Sequence, residues 1–420
     1  MSTLIVRDVA VFPGYGDSLL LSKDVVVDGS TISDVRHHDP ASHVPHGATV
    51  IDGVGKTLIP GLIDAHWHAA FTGIDSVTAL TADPYYMMIV AGQQATATLM
   101  RGFTTVRDCG GPTFGLKRAI DEGVVSGPRI YPAGAMISQT AGHGDFRMPY
   151  EVPRDPCCGL AHIERLGGAA IADGVDQVLR AAREQLMLGA SHLKLMAGGG
   201  VASTYDPLDV TQFTEAELRA GVEAAENWGT YVTVHAYTPR SVQQALRVGV
   251  RCIEHGQLVD EETVEMIAAA GAWWCLQPFL DDEDAIPVAP SSRPKQLEMS
   301  KGTLRAYELA IKHGIRVAWG TDTLFSADLA LKQGKQLAKM SRWYTPAEVL
   351  TMATSTNADL LQLSGARNPY PGVLGRIEVG AIADLVLVDG DPLTDLDLIA
   401  DPDGNFKAIV KNGDVVKLVV

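Results

Sequence analysis

The residues best equipped for chemistry in this 420-residue chain are histidines and acids that close short apolar runs. His66 and His68 stand two apart in Asp64-Ala65-His66-Trp67-His68. Alternate side chains of an extended backbone share a face, so both imidazoles point the same way. Two such imidazoles are half of a site for zinc or a metal of similar chemistry. A lone His-x-His is common without a metal, so the pair counts only in company. That company is His235 in Val234-His235-Ala236, His255 in Glu254-His255-Gly256, and Asp322 in Gly320-Thr321-Asp322-Thr323. Each has a plainer alternative: a hydrogen-bonded core histidine for the first two, the cap of a following helix for Asp322.

Lys194 lies between Leu193 and Leu195, so by alternation it shares a face with His192 and Met196. An inward lysine in an apolar core is costly unless its charge is lost or paired. It is either ion-paired to a buried carboxylate or carboxylated by CO₂, giving a carbamate whose two oxygens can bridge two cations. Burial and nearby cations lower the amine pKa and favour the second.

Bringing these residues together requires the apolar runs to be strands of one sheet. Eight strand candidates occur at 58–66, 102–108, 129–135, 191–197, 231–236, 251–255, 272–277 and 316–322. Helical patterns fill the gaps at 83–101, 175–188, 215–228, 260–270 and 295–313, with Thr214 and Glu217 forming a capping box. Eight alternations predict an α/β fold, a (β/α)₈ TIM barrel whose strand ends converge at one mouth. A doubly wound sheet needs fewer strands and a Gly-rich first turn, which is missing. The chain ends read differently. Short alternating segments at 4–12, 20–27, 49–51, 380–388, 408–410 and 415–419, with Asn412-Gly413 as a hairpin turn, predict antiparallel strands. The expected organisation is a small β-sandwich domain from 1–57 and 366–420, with the barrel, 58–365, inserted between them.

The net charge of −16 argues against nucleic acid, whose phosphates need clustered Lys and Arg. No apolar run approaches a membrane span, and residues 1–11 lack the pattern of a signal peptide, so a soluble cytoplasmic protein with no membrane partner is expected. Cys109, Cys157, Cys158, Cys252 and Cys275 are odd in number and lack metal spacing, which reads as free thiols in a reducing compartment.

Pro60-Gly61-Leu62-Ile63-Asp64-Ala65-His66-Trp67-His68, Lys194, His235, His255 and Asp322, in that order, resemble the amidohydrolase superfamily over nearly the whole chain. Gly375-x-Ile377-x-x-Gly380-x-x-Ala383-Asp384-Leu385-Val386 resembles its return to the terminal β domain. The resemblance implies two divalent metal ions, with zinc expected although Mn, Co or Fe suits the same ligands. His66, His68 and Asp322 would hold one, His235 and His255 the other, and carboxylated Lys194 would bridge them. A bridging hydroxide would attack the amide carbonyl while Asp322 takes its proton and passes it to the leaving nitrogen.

The segment from Ile137 to Arg147, containing Gly142-His143-Gly144, and His235-Ala236-Tyr237 are similar to metal-dependent dipeptidases of Xaa-Pro and Xaa-Arg/Lys type and to ochratoxin-hydrolysing amidases. This branch implies a small-molecule substrate carrying an amide and a C-terminal carboxylate. It also implies a homo-oligomer, as large as an octamer. His143, on a Gly-flanked loop, would stabilise the developing oxyanion, its alternative being a surface loop residue. Tyr237 would face the same mouth and donate to the substrate carboxylate, or else pack beneath a loop. Arg147 and Arg240 are further candidate carboxylate partners. Long loops at 146–168, 198–213 and 279–294 are expected to set specificity. The enzymatic rivals are a mononuclear cyclic-amide hydrolase or deaminase resembling imidazolonepropionase, which lacks the bridging lysine, and a lactone or ester hydrolase. A non-catalytic relative would have lost ligands, whereas every ligand position is filled here.

Overall fold

The structure is a computed structural model and describes residues 3–153 and 159–419; Cys157, Cys158 and part of the 146–168 loop lie outside the described residues. The N-terminal segment forms β1 (Thr3–Val11), β2 (Leu20–Asp28), β3 (Thr31–His37), β4 (Thr49–Asp52) and β5 (Lys56–Pro60). Next comes β6 (Leu62–Trp67). Gly61 divides β5 from β6 at a crowded point, where a Cβ would come within 2.2 Å of the Thr104 hydroxyl. The strand expected over 58–66 is therefore two strands serving two sheets.

The central strands are parallel and buried on both faces, which accounts for their unbroken apolar runs. β6, β7 (Phe103–Asp108) and β8 (Arg129–Pro132) form one sheet. The second contains β9 (Met136–Ser138), β10 (Ala169–Ile171), β11 (Leu193–Met196), β12 (Val232–Ala236), β13 (Cys252–His255), β14 (Trp273–Leu276) and β15 (Val317–Trp319). Its order is β10-β9-β11-β12-β13-β14-β15. The expected third strand breaks at Gly134, whose φ of +77° is open to glycine without strain. Its first half pairs with β7 and its continuation, β9, pairs with β11. At the other edge, Trp67 bridges Thr323 in parallel and the Asp322 N–H donates to the His66 carbonyl at 2.8 Å.

Helices at Pro84–Met100, Val175–Leu188, Glu215–Asn227, Glu261–Ala270 and Arg293–Lys312 lie within two residues of the predicted spans. Their ends follow from local chemistry. The Asp83 carboxylate accepts the Tyr85 and Tyr86 N–H groups, and Thr214 and Glu217 exchange the reciprocal bonds of a capping box. Each such cap contributes about 1 kcal/mol.

The chain ends with β16 (Leu385–Asp389), β17 (Phe406–Lys411) and β18 (Asp414–Leu418). Asn412 and Gly413 both have positive φ, +56° and +82°, as a two-residue hairpin requires. β16 lies antiparallel to β5, so both chain ends join one eight-stranded sheet, β18-β17-β16-β5-β1-β2-β3 with β4 on β1. That sheet is mixed rather than wholly antiparallel, because β4 and β5 return alongside β1 in its own direction. It encloses its own apolar cluster, including Leu4, Val25, Ile32, Leu385 and Val410, distinct from the cluster around the central strands.

Candidate active site

The chemistry-bearing residues come from separate strand ends. His66 is in β6 and His68 one residue beyond it; Lys194 is in β11, His235 in β12, His255 closes β13, and Asp322 follows β15 by three residues. All six line one cavity of about 600 Å³. The ring centres of His66 and His68 are 5.4 Å apart, those of His66 and His255 5.0 Å, and those of His235 and His255 4.5 Å. Asp322 Oδ1 is 3.1 Å from Nε2 of both His66 and His68. The donor atoms of His66, His255 and Asp322 lie within 4.8 Å of one another, close enough to share an ion. His255 and Asp322 have φ of +75° and +52°. A non-glycine residue held there costs on the order of 1–3 kcal/mol, and such strain gathers where side chains must be aimed.

The outer partners of the imidazoles decide which nitrogen faces the cavity. His68 Nδ1 donates to the Gly110 carbonyl at 2.8 Å and His235 Nε2 to the Gly199 carbonyl at 3.1 Å. A carbonyl only accepts, so the opposite nitrogen of each ring keeps its lone pair. His255 Nδ1 meets Gln277 Oε1 at 2.8 Å, and His66 Nδ1 meets Glu254 Oε2 at 2.8 Å. Burial pushes His235 and His255 well below the usual imidazole range; the charges of His143 and Lys194 add to this at His235. At His66 burial is outweighed by the Asp322 and Glu254 carboxylates, and its pKa rises. Burial would raise Asp322, but the charge and hydrogen bonds of His66, with the His68 bond, hold it well below the carboxylate range. The neutral imidazoles of His235 and His255 and the ionised carboxylate of Asp322 are the forms a divalent cation binds, and a cation beside His66 would displace its proton.

Lys194 is 1% exposed, and its Nζ is buried with no hydrogen-bond partner among the described residues. The ion-paired alternative is therefore not what the fold builds. An orphaned buried amine is costly in isolation. Beside four imidazoles and a carboxylate it fits a site completed by bound cations. The residues present thus fit the binding of a metal ion.

Three supporting groups escaped sequence reasoning. Glu254 is fully buried and joins His66 to Arg107, whose Nη2 lies 2.5 Å away, and to the Thr233 hydroxyl. Asp64 accepts the His66 N–H at 3.0 Å, the Thr321 hydroxyl at 2.8 Å and Gln333 Nε2 at 2.9 Å, tying the His66 turn to the Asp322 loop. Asp108, pushed up to about 6 by burial, accepts the Ala69 N–H at 2.7 Å just past His68. The available signal was a charge inside an otherwise apolar strand, as in Cys252-Ile253-Glu254-His255.

His143 and Tyr237 both line the cavity. The His143 ring stacks on His235 at 4.0 Å, and its Nδ1 lies 3.1 Å from Asp206 Oδ2 and 3.0 Å from the Ser203 hydroxyl. A carboxylate takes the Nδ1 proton, leaving Nε2 for a ligand. Tyr237 is buried and stacks on His255 at 4.9 Å. Arg147 does not join them. Its guanidinium is bound by Asp145 through Nε at 2.7 Å and Nη2 at 2.6 Å, and neither Arg147 nor Arg240 lines the cavity. The three long loops contribute Phe146, Val201 and Phe279 among others, and the stretch containing Val77 and Leu80 forms a further wall that was not anticipated.

Parallel strands whose ends gather imidazoles, a lysine and a carboxylate around a cavity define the donor set of a metal-dependent hydrolase. The chain belongs to the amidohydrolase family, whose sequence profile matches residues 57–420 and whose members use metal ions. It is 32% identical over 365 residues to ochratoxinase of Aspergillus niger, covering 82% of this chain and 72% of that protein. A prolidase crystallised with N-methylphosphonate-L-proline superposes with a TM-score of 0.89 at 34% identity, covering 100% of both chains. A Xaa-Pro dipeptidase with methionine in its active site superposes with a TM-score of 0.85 at 27% identity, over 99% of this chain and 100% of that one. The chain is therefore a hydrolase of amide or peptide bonds in the branch that holds these relatives. None of its helices, among the described residues, is long and apolar enough to cross a membrane.

Proposed function

We propose that this protein is a binuclear metal hydrolase. Its substrates are dipeptides or N-acyl amino acids, ochratoxin-like amides included, cleaved at the amide next to a C-terminal carboxylate. The observation that carries this reading is Lys194, buried and unpartnered on the wall shared by His66, His68, His235, His255 and Asp322. His66, His68 and Asp322 would hold one ion, His235 and His255 the other, with carboxylated Lys194 between them. Bound metals, zinc foremost, would lower the pKa of a water and polarise the scissile carbonyl.

The chain's own groups do the rest. Asp322 is ionised, so it accepts the water proton and returns it to the leaving nitrogen. His143, oriented by Asp206, presents Nε2 to the carbonyl oxygen. The Tyr237 hydroxyl donates to the substrate carboxylate. In the proposed architecture residues 58–365 close into a (β/α)₈ barrel between β6 and β15, supported by the Trp67–Thr323 bridge. Residues 1–57 and 366–420 form a β-sandwich. A cytoplasmic homo-oligomer, independent of nucleic acid and membrane, completes the proposal. The mononuclear alternative has no use for Lys194, and the panel of amides separates the proposal from a lactone or ester hydrolase.

The test is hydrolysis by the zinc-loaded protein of a panel of dipeptides, N-acyl aromatic amino acids and their carboxyl-amidated counterparts, with Asp322→Asn alongside. Two metals per chain, cleavage confined to free carboxylates and a silent but metallated Asp322→Asn are expected. An active Asn variant would remove Asp322 from its role, and indifference to the carboxylate would overturn the substrate class.

A further inference from the structure

Phe279, Ile286, Pro287 and Val288 line the cavity, and Phe279 and Val288 pack on the apolar cluster of Val201, Tyr237 and Met299. The segment carrying them also contains four consecutive acids, Asp281-Asp282-Glu283-Asp284. Such a row repels itself and holds water unless it is neutralised. Lys332, Lys335 and Lys339, spaced by three and four, lie on one face of the helical stretch 327–342 and neutralise it. Asp284 is buried, and its carboxylate takes Lys332 at 2.7 Å, Lys335 at 2.9 Å and Lys339 at 3.1 Å. Asp282 takes Lys339 at 2.8 Å, and Glu283 takes Lys335 at 3.1 Å. Beyond the acids, Gln296 Nε2 donates to the Ile286 carbonyl at 2.6 Å, while Arg293 pairs with Asp281 at 2.5 Å.

A single exposed ion pair does little, but here Lys332 hydrogen-bonds Oδ1 of one buried carboxylate while Lys335 and Lys339 ion-pair with its Oδ2, a network rather than an isolated pair. The same pairing occupies Lys339, which with Lys194 makes up the lysine and arginine residues lining the cavity among those described. The apolar side chains of Ile286, Pro287 and Val288 thereby stand on the wall beside acids and a lysine whose charges are paired with one another.

We propose that the clasp between Asp281–Asp284 and Lys332, Lys335 and Lys339 is a specificity determinant. It holds Ile286, Pro287 and Val288 in place and so selects amides that carry a bulky apolar group. The proposal rests on the amide-hydrolase reading of the cavity. Lys332→Gln/Lys335→Gln tests it, since neither lysine lines the cavity and both side chains are 38–42% exposed, so the fold should survive. The substrates are the N-acetyl and N-naphthoyl derivatives of one amino acid, with kcat and KM determined for each.

The expected result is a rise of about 10-fold in KM for the naphthoyl compound, with kcat and the acetyl KM within about 2-fold of the parent. Raising the salt from about 0.05 to about 0.5 M should move the parent in the same direction and the variant much less. Equal changes for both substrates, or none, would overturn the clasp as a determinant. A parent that cleaves neither compound would instead count against the amide-hydrolase reading. Calorimetric binding of the same two compounds to Asp322→Asn, with and without the lysine substitutions, then asks the question without turnover; unchanged naphthoyl affinity sinks the proposal. Lys335→Gln alone serves if the double variant fails to fold.

Discussion

At the floor of the cavity, His66, His68, Lys194, His235 and His255 are at most 4% exposed and hang from parallel strands buried on both faces. Around the rim, the stretches 75–81, 201–205 and 279–289 are short helix or loop and mostly half-buried to exposed. The floor is positioned by strand ladders and by fully buried partners: the Gly110 and Gly199 carbonyls meet His68 and His235, and the Glu254 and Gln277 side chains meet His66 and His255. The rim is positioned by side chains, through Asp206 on His143 and three lysines on Asp284. A ladder of hydrogen bonds resists single substitutions, whereas a side-chain tether can be rewritten by one. Chemistry is therefore lodged where change is hard, and selectivity where it is easy.

The largest effect should come from the floor. Lys194→Met keeps the volume and removes the amine, so metal content should fall below two per chain and kcat/KM by about 10³-fold or more. The same change deletes an orphaned buried amine, so the metal-free variant should melt no lower than the metal-free parent. Elemental analysis, kinetics and thermal denaturation check the three statements. Retention of two metals with full turnover would dissolve the contrast between floor and rim.

Glu254→Gln acts one layer out. It weakens the acceptor that orients His66 Nδ1 and leaves Arg107 short of its carboxylate. Metal affinity should fall by about 10–100-fold, the range for losing an outer-shell partner, as measured by chelator competition. Asp206→Asn should do less, and in a different place. It loosens His143, so kcat/KM should fall about 10-fold while metal content stays at the parent value. A loss of metal in Asp206→Asn would mean that His143, stacked on His235, belongs to the floor after all.

The same division separates what was legible in the sequence from what was not. Strand ends and inward positions follow from alternation over a few residues, so His66, His68, Lys194, His235, His255 and Asp322 could be marked in advance and the fold brings all six together. Spans failed where a strand was too short or interrupted for any period to register. β10 has three residues, and the kink at Gly134 ends the strand expected over 129–135 at Pro132, the next strand, β9, starting beyond it with a different partner. β3 was missed because its charged and apolar residues do not alternate over enough length. Side-chain tethers were illegible for another reason. Asp284 meets Lys332 across 48 positions and Glu254 meets Arg107 across 147, and nothing local announces such encounters.

Arg147 is the case in which a local competitor decided the outcome, and it yields the smallest expected effect. An arginine on a loop near a carboxylate-binding site invites the reading that it meets the substrate. Asp145, two residues earlier, reaches the guanidinium first and binds it through both carboxylate oxygens. Burial would raise the Asp145 pKa, but the Arg147 hydrogen bonds outweigh it and bring it down, so the pair is satisfied without a ligand. Arg147→Lys keeps the charge but loses the fork geometry. It should leave KM for a free-carboxylate substrate, and its ratio to the KM of the amidated analogue, within about 2-fold of the parent, because no substrate contact is removed. A rise confined to the free acid would show that Arg147 leaves Asp145 for the substrate. It would also move the boundary between fixed floor and adaptable rim inward to the carboxylate itself.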